Sequence, residues 1–233
     1  MNIGENRILV TEASINDLIN ELRKRGVNVS RQYDNFDFNG HGYVDLGLPS
    51  GTLWATCNVG AETETGYGLY FAWGETKGFE PGKRIFDWRN YKFVLVNGYL
   101  ADYNFDDGWT VLHKEDDAAR MNMGGDWRMP TREQLLELID GDNTTHETVM
   151  VKRVKGMLFT SRRNGNTLFV PFGGGYCISS VSDVGSGGVL WSSSLDGKGV
   201  CSAFGLEIDG NGNANLCNRS RSFGFSVRGV ING

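Results

Sequence analysis

Residues 43–60 read YVDLGLPSGTLWATCNVG: short apolar segments punctuated by glycine rather than one periodic run. The same texture returns as GYGLYFAWGE at 66–75, NTLFVPFGGGY at 166–176, GVLWSSSL at 188–195, AFGLEI at 203–208 and FGFSVRGV at 223–230. These segments read as strands and core loops turned by glycine, which takes up backbone conformations that other residues resist. The chain holds 33 glycines in 233 residues with only 4 prolines, a glycine share about twice the usual one. No G-X-Y period runs through them, and 39% hydrophobic with 12% aromatic content can fill a core. Collagen and flexible linker are therefore excluded.

Two helices interrupt the strand texture. EDDAARMNM at 115–123 carries its acidic residues at the N-terminal end, where they suit the helix dipole. In MPTREQLLELID at 129–140, Thr131 and Gln134 have the spacing of a capping box, and Leu135, Leu138 and Ile139 share one face. A third helix is expected over 11–26, TEASINDLINELRKRG, where Ile15, Leu18, Ile19 and Leu22 form one apolar stripe. Thr11 or Ser14 can cap it and Gly26 ends it. A helix this short is marginal alone, so packing on the main domain is preferred to self-association, through which it could contribute to a homo-oligomer. The stretch 30–42 reads as linker or loop. The expected organisation is an N-terminal strand/helix segment and linker over 1–42, then an α+β domain over 43–233 with few helices and much loop.

A formal net charge of −5 argues against nucleic acid as partner, since that affinity comes mainly from neutralising phosphates with Lys and Arg. No apolar run has the length to span a bilayer, and the start MNIGENRILV has neither a basic n-region nor a continuous h-region. The expectation is a chain with no membrane insertion and no signal peptide. Cys57, Cys177, Cys201 and Cys217 show no C-x-x-C pairing. Cys57 and Cys177 are expected as small buried hydrophobes, and Cys201 and Cys217, in polar glycine-rich sequence, as exposed or paired.

Reactive constellations are sparse. His41, His113 and His146 are far from one another and from any cysteine, so no metal site is expected. Asp102, Asn104 and Asp106, and again Asp209, Asn211 and Asn213, imitate the start of a calcium loop. The glycine and terminal glutamate positions fail in both. GSGG at 185–188 lacks the spacing of a dinucleotide loop. The run Ser192, Ser193, Ser194 has no nucleophile elbow around it and reads as a strand with satisfied hydroxyls. No catalytic residue, cofactor or metal is expected.

The most unusual stretch is 196–222, DGKGVCSAFGLEIDGNGNANLCNRSRS, dense in Gly, Asn, Ser and Asp and bracketed by aromatic strands. Asp209 to Asn213 has the chemistry of a hairpin tip, which makes the segment a pair of strands with long turns. Small adaptable polar residues with an occasional aromatic, carried on a rigid core, are also the composition of a paratope. Composition alone leaves both readings open.

YVDLGLPSGTLWATCNVGA, YFAWGET, EDDAA followed by GGDWRMPTREQLLELI, LWSSSL and the terminal GFSVRGV together resemble the Fibrobacter succinogenes major paralogous domain, over about residues 43 to 230. That family, common in Bacteroidetes and their phages, is related to the C-type lectin-like fold. The resemblance implies that the first and last strands pair, with 43–55 beside 223–230. The same fold hosts formylglycine-generating enzymes, whose helix start and terminal strand resemble Arg128 to Gln134 and Gly224 to Val227. Their close cysteine pair and R-G-G-S-W block are missing here. It also hosts variable proteins of diversity-generating retroelements, in which the stretch between a WSS-like strand and a final G-F-S-V-R-like strand is rewritten by adenine-directed mutagenesis. Residues 196–222 occupy that place.

Randomising the first two bases of AAC or AAT reaches Asp, Gly, Val, Cys, Ser, Phe, Asn, Leu and Arg, but not Lys, Glu or Trp. Lys198 and Glu207 are then fixed positions. The resemblance implies a ligand-binding set of Asp196, Gly197, Gly199, Val200, Cys201, Ser202, Phe204, Gly205, Asp209, Asn211, Asn213, Asn215, Cys217, Asn218, Ser220 and Ser222. Phe204 is the expected anchor, and Trp54, Trp73, Trp127, Trp191 and Phe225 the buried frame. The function expected is non-enzymatic receptor recognition by a variable, adhesin-like protein at a phage particle or cell surface. Its ligand is a protein in preference to a glycan, because the E-P-N and W-N-D signatures of sugar-binding lectins are absent. The alternatives are a formylglycine-generating-enzyme-like oxidoreductase and a non-diversified surface domain, which predicts a flat, covered face at 196–222.

Overall fold

The computed structural model describes residues 37–104, 106–178, 180–196 and 199–233. The expected helix over 11–26 lies outside the described residues. In chain order the elements are β1 (Asp37–Phe38), β2 (His41–Asp45) and β3 (Thr52–Asn58), then a long irregular stretch with a 3-10 turn at Trp88–Asn90. A second 3-10 turn, Lys114–Asp116, precedes α1 (Ala118–Met123) and α2 (Arg132–Ile139). The remaining strands are β4 (Thr144–Val151), β5 (Val154–Ser161), β6 (Thr167–Pro171), β7 (Gly173–Cys177), β8 (Ser180–Val184), β9 (Gly187–Leu195), β10 (Ser202–Asp209), β11 (Ala214–Ser220) and β12 (Arg228–Asn232). Strand predominates and helices are few, a mixed α+β chain.

Among the described residues three sheets carry the fold, ordered β1-β2-β3-β12, β11-β10-β9-β7-β8 and β4-β5-β6. The terminal strand lies against the opening hairpin, with Val230 opposite Trp54 and Asn232 opposite Thr52. Its partner is β3; β2 stands one strand further out. Pairing covers 228–232, with Val59 N donating to Val227 O just beyond it, because the residues before are engaged elsewhere. Gly224 bridges Tyr176, Phe225 bridges Phe71 and Ser226 bridges Leu190.

Residues 37–42 are not linker. Asp37 pairs with Gly42 across a tight turn in which Asn39 and Gly40 have φ of 55° and 79°, the Asn-Gly signature of a two-residue hairpin. The β4–β5 hairpin was hidden in the sequence for the opposite reason. Its turn uses Lys152 and Arg153 at φ of 46° and 70°, residues that carry no turn signal.

Both expected helices form. α1 starts at Ala118 because the Asp117 carboxylate accepts from Arg120 N; its two oxygens also accept from Met129 N. α2 has the full capping box, with Thr131 accepting from Gln134 N and Gln134 accepting from Thr131 N. The other end of the Gln134 amide donates to Thr52 Oγ1 at 2.6 Å, so the same side chain that starts α2 ties it to β3.

The core has two parts. Trp73, Trp127, Trp191 and Phe225 belong to one; Trp54, Leu135, Leu138, Phe159 and Phe172 to the other. The expected aromatic frame is thus buried throughout. Indole N–H groups taken from water need partners. Trp73 donates to Ser192 O, Trp191 to Phe71 O and Trp127 to Phe38 O. Gly224 is needed for a close approach, since a Cβ there would stand 2.7 Å from the Phe86 ring.

Candidate functional site

Within 196–222, residues 202–220 fold as the β10–β11 hairpin at one edge of the five-stranded sheet, in register from Ser202 opposite Ser220 to Ile208 opposite Ala214. Its tip is built by Asp209, whose Oδ1 accepts from Asn211 N and Asn213 N and whose Oδ2 accepts from Asn213 Nδ2. The Asn213 side chain first, then backbone N–H groups, hold the Asp209 carboxyl below its ordinary range. The carboxylate that began a calcium-like pattern is thereby spent on a turn.

Alternation along a strand sends neighbours to opposite faces, but β10 is covered on both. Ala203 joins the Trp191 cluster, while Leu206 and Ile208 join Ala214, Leu135 and Leu138 of α2 in the other. The exposed members of the expected set are Cys201, Asn211, Asn213, Asn215 and Asn218. Gly199, Val200, Ser202, Phe204, Asp209, Cys217 and Ser220 are half-buried. Asp196, Gly205 and Ser222 are buried and belong to the frame, not to a display surface. Asp196 Oδ2 accepts from Asn218 Nδ2, and a Cβ on Gly205 would stand 2.8 Å from Val189 Cγ1. Gly197 lies outside the described residues, as does Lys198.

Phe204 is not a free anchor. Its ring is half-buried with the Arg132 guanidinium 5.1 Å from the ring centroid, a cation–π contact that fixes it against the start of α2. Glu207, the expected fixed position, accepts from Arg219 Nη2 across the hairpin at 2.5 Å. The serine run reads as expected. Ser192 Oγ donates to Phe204 O, Ser193 Oγ to Pro130 O, and Ser194 Oγ accepts from Arg132 N.

All four cysteines are free. Cys177 is exposed, not buried, because it ends β7 beside the edge strand β8; Cys57 is half-buried. Cys201 and Cys217 are not a pair. Cys201 O receives Arg221 N while Cys217 stands opposite Gly205, four residues along the strand and so about 13 Å away. Burial pushes the Cys217 thiol up to about 11, which keeps it protonated and unreactive at neutral pH.

Two clefts border the hairpin. One, of about 440 Å³, opens between it and β7–β8, lined by Glu207, Arg219, Asp183, Tyr176 and Phe223. The other, of about 580 Å³, is largely apolar and lined by Cys201, Trp88, Val94, Leu95, Val96 and Leu100. Both have the size of ligand-binding clefts. Val96 and Tyr99 on the second cleft's loop are strongly exposed.

The residue that sequence reasoning missed is Arg221. It is fully buried among Trp73, Tyr91, Phe93 and Tyr103, whereas an arginine in a Ser- and Asn-rich run reads as surface. Among the described residues no group of His, Cys, Asp or Glu could hold a metal ion, and no helix is long and apolar enough to cross a membrane. Compared with known proteins, the chain matches no family model, no curated protein and no solved structure.

Proposed function

We propose that the chain is a non-enzymatic recognition protein on a C-type lectin-like scaffold, with the outer edge of β10–β11 and the adjoining apolar cleft as its ligand surface. One observation carries the reading: within 196–222 the exposed side chains of Cys201, Asn211, Asn213, Asn215 and Asn218 stand on a hairpin whose backbone is fixed by buried groups on both faces. Small polar side chains on a rigid frame suit adaptable contacts at low ordering cost. The separation of Cys201 from Cys217 counts against the oxidoreductase alternative, which depends on a close thiol pair. The flat, covered face of a passive surface domain is likewise not what the tip of this hairpin presents.

The ligand is a protein on a cell surface, and the recognition protein is carried on a phage particle or cell surface. We further propose that the exposed positions are diversified by a retroelement. Comparison of the gene among closely related isolates tests this. The expected result is substitution concentrated in the codons for 201, 211, 213, 215 and 218, at bases that are adenine in a neighbouring template repeat, beside a reverse transcriptase. Substitutions scattered evenly over 43–230, with no such neighbour, would reject it.

A further inference from the structure

We infer that Arg221 is a positioning residue: its guanidinium fastens the turn 199–202 to the loop 91–103 and so fixes both walls of the apolar cleft before a ligand arrives. The inference rests on reading 196–222 as a recognition surface, and it says what keeps that surface in one shape.

Arg221 has no exposed surface. Its Nη1 donates to Val200 O at 2.8 Å and Tyr103 O at 3.0 Å, Nη2 to Asp102 O at 3.2 Å, and Nε to the Tyr91 hydroxyl at 2.9 Å. Val200 adjoins Cys201 on one wall of the cleft. Tyr91 and Tyr103 bracket Val94 to Leu100 on the other. One side chain therefore holds both walls. Its main chain closes the same junction, donating to Cys201 O and accepting from Trp73 N.

The chemistry requires arginine. Five N–H donors in a rigid planar fork serve four acceptors pointing from different directions, which a lysine ammonium with three donors cannot do. The guanidinium carbon lies 4.8 Å from the Trp73 ring centroid and 5.3 Å from that of Tyr91, and aromatic faces favour a cation most where water is excluded. Removing the fork leaves the carbonyls of Val200, Asp102 and Tyr103 without their donor, a cost that falls on the junction itself. Position 221 is therefore expected to stay constant where its exposed neighbours are diversified. A wall held in advance spares a ligand the entropy of ordering it.

Hydrogen exchange of Arg221→Lys and Tyr91→Phe against wild type tests this without any ligand, so its outcome is independent of whether the recognition surface binds one. Amides of 199–203 and 93–103 are expected to exchange roughly ten- to hundredfold faster in Arg221→Lys, while those of β4–β5–β6 keep their rates. Tyr91→Phe retains the ring and loses the hydroxyl that receives Nε. It should give the same local pattern at smaller amplitude, and it decides the matter if Arg221→Lys does not fold. Unchanged exchange at 199–203 and 93–103, or a uniform increase across all three sheets, overturns the inference.

Discussion

Replacing Arg228 by methionine is expected to lower the free energy of unfolding by about 3–5 kcal/mol, although the residue sits in the last strand of the chain. The side chain is fully buried. Its Nε donates to Asn58 Oδ1 at 2.9 Å, Nη1 to Ala55 O at 2.9 Å and Nη2 to Phe169 O at 3.2 Å. It thereby joins β12 to β3 and to β6. Methionine fills much of the volume but donates nothing, so three buried acceptors lose a charged donor at about 1–3 kcal/mol each, less than additively. Urea unfolding would register the loss as a lower midpoint with unchanged slope. A change below about 1 kcal/mol would mean that the acceptors find water or new donors, and that Arg228 does not link the sheets.

Trp191→Ala carries the second large effect, about 3–5 kcal/mol. Trp191 is fully buried on β9, its ring centroid 4.8 Å from that of Phe225 in an edge-on contact. Truncation opens a cavity, removes that contact and takes the Nε1 donor, 2.9 Å away, from Phe71 O, which is left with the Phe225 N–H alone. The damage reaches the candidate site directly, because Trp191 stands opposite Gly205 of β10. Trp191→Phe retains the ring contact and loses the indole donor, so its smaller cost separates packing from hydrogen bonding. Equal costs for the two variants would contradict this division.

Glycine-broken apolar segments, the Thr131–Gln134 capping box and the Asp209–Asn213 tip were legible because each is a local pattern. Their determinants lie within a few residues. The β4–β5 hairpin was not legible, since Lys152 and Arg153 adopt left-handed backbone without the glycine or asparagine that would announce it. The Asn39–Gly40 turn did announce itself, and the linker reading passed over it.

At the candidate site, composition located the segment but not its two sides. Asp196, Gly205 and Ser222 have the same small or polar character as Asn211 and Asn215. What separates them is tertiary: α2 on one face of β10 and the Trp191 cluster on the other. Phe204 and Arg221 fail the sequence test in opposite directions, an aromatic held under an arginine and an arginine held among aromatics. The glycine excess divides along the same line. Gly124 and Gly125, with φ of 70° and 56°, end α1, Gly205 admits Val189 and Gly212, with φ of 88°, serves the hairpin tip, whereas a Cβ on Gly199 would meet nothing.

The most direct measurement is binding of the labelled protein to a panel of intact bacterial cells. The wild type is compared with a triple variant, Asn211→Lys, Asn215→Lys and Asn218→Lys, and with Met150→Lys. All four positions are exposed; because Asn218 also donates to Asp196, an unchanged urea midpoint is required of each variant, and Met150 lies on β4 of the three-stranded sheet, outside the proposed ligand surface. The account predicts saturable binding that protease treatment of the cells abolishes and periodate leaves intact. The triple variant should lose it by at least about tenfold, and Met150→Lys should keep it. Undiminished binding by the triple variant, or no saturable binding to any cell, would contradict the assignment of the ligand surface to the β10–β11 edge.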